Sequence, residues 1–141
     1  MKKLIIGVAV VMLMLAAATS SRAQTAPIAM QSSTALEASH IFTGGNTLAS
    51  ITVTWHAGSA AARWLMIFDA LAVPGNGTVA PIYCVALGNS ATLTDGTQAI
   101  LFNTAPILVR TGITAVVSTS TSGCASLTVD GSDDYFSAQV R

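Results

Sequence analysis

The sequence predicts an all-β fold, a single-domain antiparallel β-sandwich of jelly-roll or immunoglobulin-like type with about eight short strands. Three observations carry that prediction. Runs of β-branched and aromatic residues are short. Clusters of Gly, Pro, Asn and Asp separate them at intervals of roughly 8–12 residues, the spacing of strands joined by turns. No stretch beyond residue 23 holds helical periodicity for three turns.

The N-terminus reads as an export signal. Met1, Lys2 and Lys3 form a basic head, Leu4 to Ala18 is apolar, and Ser21-Arg22-Ala23 offers small residues where a signal peptidase cuts. An apolar run of 15 residues is short for a membrane anchor, which needs about 20. The expected organisation is a signal peptide over 1–23, a flexible arm over 24–34 and a sandwich over 35–141. The expected location is periplasmic or extracellular, in a bacterium, with no membrane attachment after cleavage.

Cleavage after Ala23 leaves 118 residues without a lysine, in which Arg63, Arg110 and Arg141 face Glu37, Asp69, Asp95, Asp130, Asp133 and Asp134. That is a net charge of minus three. Nucleic-acid binding needs clustered cations that displace counterions from phosphates, so that class is excluded as an expectation. Anionic lipid surfaces are disfavoured for the same reason.

Gln24 to Thr34 is uncharged, small-residue rich and carries Pro27, hence the flexible arm. Ala35 to Phe42 partly alternates and reads as an edge strand, ended by Thr43-Gly44-Gly45-Asn46. In Leu48 to Trp55, Ile51, Val53 and Trp55 alternate with Thr52 and Thr54, so one face meets the core and the threonine face is wet. Arg63 to Asp69 is the central strand. Trp64, Met66 and Phe68 point one way and Leu65 and Ile67 the other, so both faces are to be covered. Pro74-Gly75-Asn76-Gly77 suits a tight reversal into a strand over Val79 to Leu87, and Gly88-Asn89-Ser90 turns the chain again. Short strands follow at 91–94, 97–102, 107–110, 112–120 and 125–129, and a last one at 134–140.

Residues that could carry chemistry are few, and each has an ordinary explanation beside it. Cys84 and Cys124, an even pair in an exported chain, are expected to form a disulfide, the alternative being two buried thiols. Two Cys and two distant His do not make a metal site. His56-Ala57-Gly58-Ser59 sets a histidine near a serine, but the nucleophile-elbow pattern is missing and His56 reads as a loop residue. His40 likewise lacks catalytic context. Asp130, Asp133 and Asp134 could offer oxygens to calcium, but the long ligand series of a calcium loop is absent, and a solvated turn explains them. Arg63 and Asp69 are expected to cap the two ends of the central strand. Among the aromatics Trp64 belongs to the core. Trp55 at a strand end, Tyr83, and the loop containing Asn76 are the candidate ligand-binding residues.

The run Leu65-Met66-Ile67-Phe68-Asp69-Ala70, followed by Pro74 to Gly77, Val79 and Pro81, resembles small β-sandwich proteins encoded among phage and prophage structural genes. Thr111 to Thr119 and Tyr135 to Val140 are similar to that family's last strands. The likeness covers Ile51 to Val140. It implies a virion-associated or other structural role and brings no catalytic residues. The export signal and the cysteine pair depart from that pattern.

Together these readings lead to an exported structural or adhesive β-sandwich, phage-derived in origin, acting through a protein partner or by self-association. A small glycan- or ligand-binding module is the alternative. No enzymatic activity, cofactor or metal is expected.

Overall fold

The computed structural model describes residues 28–56, 62–87, 95–102, 104–129, 131 and 133–141. Among them the strands are β1 (Ala29–Ser32), β2 (Ser39–Phe42), β3 (Thr47–Trp55), β4 (Arg63–Asp69), β5 (Gly77–Thr78), β6 (Tyr83–Leu87), β7 (Gly96–Leu101), β8 (Ile107–Leu108), β9 (Ile113–Ser118), β10 (Ser126–Leu127) and β11 (Asp134–Val140). The front sheet has the order β1-β11-β3-β7, with β8 paired to β3 beyond the end of β7. The back sheet has the order β2-β9-β4-β6. Every pairing is antiparallel, and the two sheets pack face to face as the strand pattern predicts. The signal segment, the turn at 88–90 and the strand expected at 91–94 lie outside the described residues. Among those that are described, no helix is long and apolar enough to cross a membrane.

Between the sheets lies one core, built from alternate residues of each strand. Leu48, Ile51, Val53 and Trp55 of β3 and Phe136, Ala138 and Val140 of β11 meet Leu65 and Ile67 of β4 and Ile113, Ala115 and Val117 of β9. Leu48 and Ile51 are three apart and yet share a face, because the β3–β11 register shifts between Gln139 and Val140. A bulge of that kind inserts one residue and reverses the alternation beyond it.

The back sheet is also buried on its outer side. Met66, Phe68, Val116 and Leu127 form a second cluster, with Trp64, Val73, Val79, Cys84 and Val129 packed against it. The central strand is therefore sealed on both faces, as its double apolar pattern requires. Its cover is the β5–β10 ribbon and a 3₁₀ turn at Gly123–Ala125. The disulfide Cys84–Cys124 ties that turn to β6. Gly123 adopts φ 62 beneath Trp64, a conformation that favours glycine.

The tight reversal expected after the central strand is instead a longer excursion over residues 70–82. Asn76 Oδ1 accepts from Val129 N, Gly77 pairs with Leu127, Val79 N donates to Ala125 O, and Ile82 N donates to Ile67 O. The expected strand over 79–87 begins only at Tyr83, since Pro81 has no N–H to give a ladder. What drives the excursion is the apolar outer face of β4, which a two-residue turn would leave wet.

Part of the expected flexible arm is ordered. Ala29–Ser32 is the edge strand β1, paired with β11, so the sandwich extends N-terminally of residue 35. Residues 24–27 lie outside the described residues. At Ser33 the chain leaves the front sheet, its Oγ donating to Phe136 O and accepting from Phe136 N. Glu37 bridges to Asp134, and the chain then joins the back sheet as β2. The Gln31 amide closes this corner, with Nε2 donating to Thr43 O and Oε1 accepting from Thr43 N. Backbone groups freed by the change of sheet are thus satisfied by side chains.

Arg63 and Asp69 anchor the two ends of β4, as their positions predict. Asp69 accepts backbone N–H groups from Arg110, Thr111 and Gly112. The Thr111 and Arg110 amides hold its carboxyl below the ordinary 3.8, with burial opposing and Gly112 adding a further lowering contact. A carboxyl lowered in the folded state stabilises above its ordinary value, and that stability is lost as pH falls through the folded value. The expected result is that thermal melts between about pH 5 and about pH 2 show a decline that Asp69→Asn makes shallower. Equal slopes for the two proteins would contradict it.

Candidate interaction surface

The outer face of the front sheet follows directly from strand register. Residues opposite one another across antiparallel strands share a face. Three rows result: Met30, Gln139, Ser50 and Leu101; then Ser32, Ser137, Thr52 and Ala99; then Tyr135, Thr54 and Thr97. None of these is Asp, Glu, Lys, Arg or His. Hydroxyls line the middle strands and recur at Ser32 and Thr97 on the outer ones, and the Thr54 and Thr97 hydroxyls lie 3.0 Å apart. Apolar side chains stand at the margins, Met30 being 66% and Leu101 65% exposed. Leu108 of β8 adds another, beside Thr47 at the end of β3.

The two outer faces of the sandwich therefore differ. The back one carries Met66 and Val116 at 0% exposure under a layer of the protein's own chain. Among the described residues nothing comparable lies over the front one, whose Met30, Tyr135, Thr97, Ala99 and Leu101 are all exposed. The alternation Ile51, Val53, Trp55 against Thr52, Thr54 already marked the wet threonine face. Met30, Ser137 and Leu101 could not be added from sequence, because their membership depends on which strands are neighbours.

Searches against protein-family models, curated proteins and solved structures found no match to this chain.

The three candidate ligand-binding residues do not share a surface. Trp55 points inward at 8% exposure, its indole against Gly96, where a Cβ would lie 2.2 Å from Cζ2. Tyr83 stands opposite Ile67, four residues along β4 from Arg63, and packs edge-on against Phe102. Arg63 bonds the carbonyl of His56, the residue after Trp55. Trp55 and Tyr83 thus occupy opposite ends of the sandwich, roughly 13 Å apart along the strands. Asn76 lies in the layer over the back sheet, its Oδ1 holding Val129 N.

Other polar residues singled out in the sequence are engaged within the fold. Asp133 Oδ2 accepts from Arg63 Nη2 at 2.9 Å, and Asp134 lies 3.5 Å from Arg63 Nη1. His40 Nδ1 is 2.6 Å from Glu37, and His56 Nδ1 is 3.3 Å from Asp95. Ser59 and Asp130 lie outside the described residues. What the front face can do chemically is present hydroxyls, one amide and apolar rims over a neutral sheet, which suits contact with another neutral surface.

Proposed function

We propose that this protein is an exported structural or adhesive β-sandwich that works by association, with the outer face of the front sheet as its contact surface. The contrast between the two outer faces supports this reading. One is covered by the chain itself, and the other exposes large apolar side chains among three rows of residues that carry no charge. Exposed apolar surface of this size marks interaction sites more often than single exposed residues do, and here it stands at both edges of one neutral sheet face. The signal-like N-terminus and the disulfide suit an oxidising compartment outside the cytoplasm. The resemblance to phage and prophage structural proteins agrees with a structural role. A glycan- or ligand-binding module is the less favoured reading, since Trp55 is in the core and Asn76 is engaged with the backbone.

The test is solution mass by sedimentation from about 1 µM to about 1 mM, together with thermal stability against a panel of saccharides. Mass that rises with concentration, with melting unaffected by sugars, is the expected result. A monomer whose melting temperature rises with a saccharide would replace association with glycan binding.

A further inference from the structure

We propose that the front face pairs with the front face of a second copy of this chain, about a two-fold axis running along the strands between β11 and β3. The proposal rests on the association reading above and names its partner and register.

The register makes the face self-complementary about that axis. Such an operation reverses each row upon itself, carrying β1 over β7 and β11 over β3 of the second copy. Met30 then meets Leu101 of the second copy, Gln139 meets Ser50, and Ser137 meets Thr52. At the margins Met30 and Leu101 cover each other, and Ser32 lies over Ala99. In the centre an amide and hydroxyls face hydroxyls, so each donor finds an acceptor. A two-fold axis across the strands would instead lay the Met30 row over the Tyr135 row, setting apolar rims on threonine.

Charge permits the same arrangement. An isologous contact places a patch against itself, so a charged row near the axis would repel its own image. These rows hold no charge, and Arg141 lies in the next one, exchanging backbone hydrogen bonds with Thr47. The axis would carry it over Thr47 of the second copy, not over another arginine. Tilting the axis by about 15° from the strands gives the roughly 30° crossing of aligned sheet packings.

Size sets the strength. Four strands about 4.8 Å apart and seven residues at about 3.3 Å span roughly 19 by 23 Å, or about 900 Å² counted over both copies. That is below the about 1,200 Å² of standard interfaces, so the pair is weak and concentration-dependent.

Sedimentation velocity on the mature chain tests this. The wild type is expected to move from one chain toward two between about 1 µM and about 1 mM. Thr52→Lys and Ser137→Glu, each on the wet face and checked for folding by circular dichroism, should each shift self-association at least about tenfold higher in concentration. Mixing the two variants should restore association, because position 52 of one copy then faces position 137 of the other with opposite charge. If either variant fails to fold, Met30→Lys mixed with Leu101→Glu tests the same register.

Self-association that the single variants leave unchanged, or that mixing does not restore, overturns this pairing and leaves association by another surface standing. A monomer throughout, indifferent to sugars, overturns pairing with a second copy and leaves the association reading to an unlike protein partner. A monomer stabilised by saccharides overturns both.

Discussion

Replacing Arg63 by methionine is expected to destabilise the protein by about 3–5 kcal/mol, the cost of breaking a buried ion pair by removing one partner. Arg63 is 5% exposed and Asp134 is 0% exposed, on strands that belong to different sheets. The guanidinium reaches Asp133, Asp134 and the carbonyl of His56, so it joins the start of β4 to the start of β11 and the end of β3. Methionine keeps much of the arginine stem's packing but leaves the Asp134 carboxyl without its cation. Urea denaturation at neutral pH reads the effect. A loss under about 1 kcal/mol would show that the pair does not hold the sheets together. Adding Asp134→Leu to Arg63→Met should recover part of the loss, because two apolar residues carry no desolvation cost. Asp133→Ala should cost less than Arg63→Met, since Asp133 is 31% exposed and solvent screens it.

Removing the disulfide by Cys84→Ala with Cys124→Ala is expected to cost about 4 kcal/mol in the chain-entropy description. The bond closes a loop of 40 residues. For a domain of this size, whose total stability lies near 5–15 kcal/mol, that is a large fraction. The loss should also be uneven. Cys84 lies in β6 and Cys124 in the 3₁₀ turn, so the bond holds the outer layer onto Met66, Phe68 and Val116. Hydrogen exchange on the double variant should show residues 123–128 losing protection before the amides of β4 and β9. Uniform loss across both sheets would mean that the layer does not open on its own.

The central strand shows how far the sequence reaches. Trp64, Met66 and Phe68 alternate with Leu65 and Ile67, and a strand apolar on both faces is to be covered twice, as the two core clusters show. The caps at Arg63 and Asp69 were also legible, because a charge at each end of an apolar run has to find a partner near the chain's exit from the core. Which partners they take was not legible. The backbone amides of residues 110–112 and the side chains of Asp133 and Asp134 come from strands remote in sequence. Trp55 illustrates the opposite case. Its place at the end of an alternating run beside a loop fits a binding site, but Gly96, from β7, lies against its ring and helps to bury it. The cover over the back sheet was likewise hidden, since Pro74 to Gly77 carries the composition of a tight turn and gives no sign of the surface it must shield.

By itself, then, the sequence determined that the chain is all β, that Ile51 and Val53 face inward from a threonine face, and that the central strand is shut away on both sides. Alternation and turn chemistry are local, acting between residues a few positions apart, and can be read without neighbours. The tertiary structure alone decided that β11 separates β1 from β3, that residues 70–82 and 123–129 fold over the back sheet, and that Met30, Ser137, Thr52 and Leu101 meet on one uncharged surface. Those outcomes depend on pairings between distant strands, fixed by which arrangement buries the most apolar area while leaving every backbone hydrogen bond made.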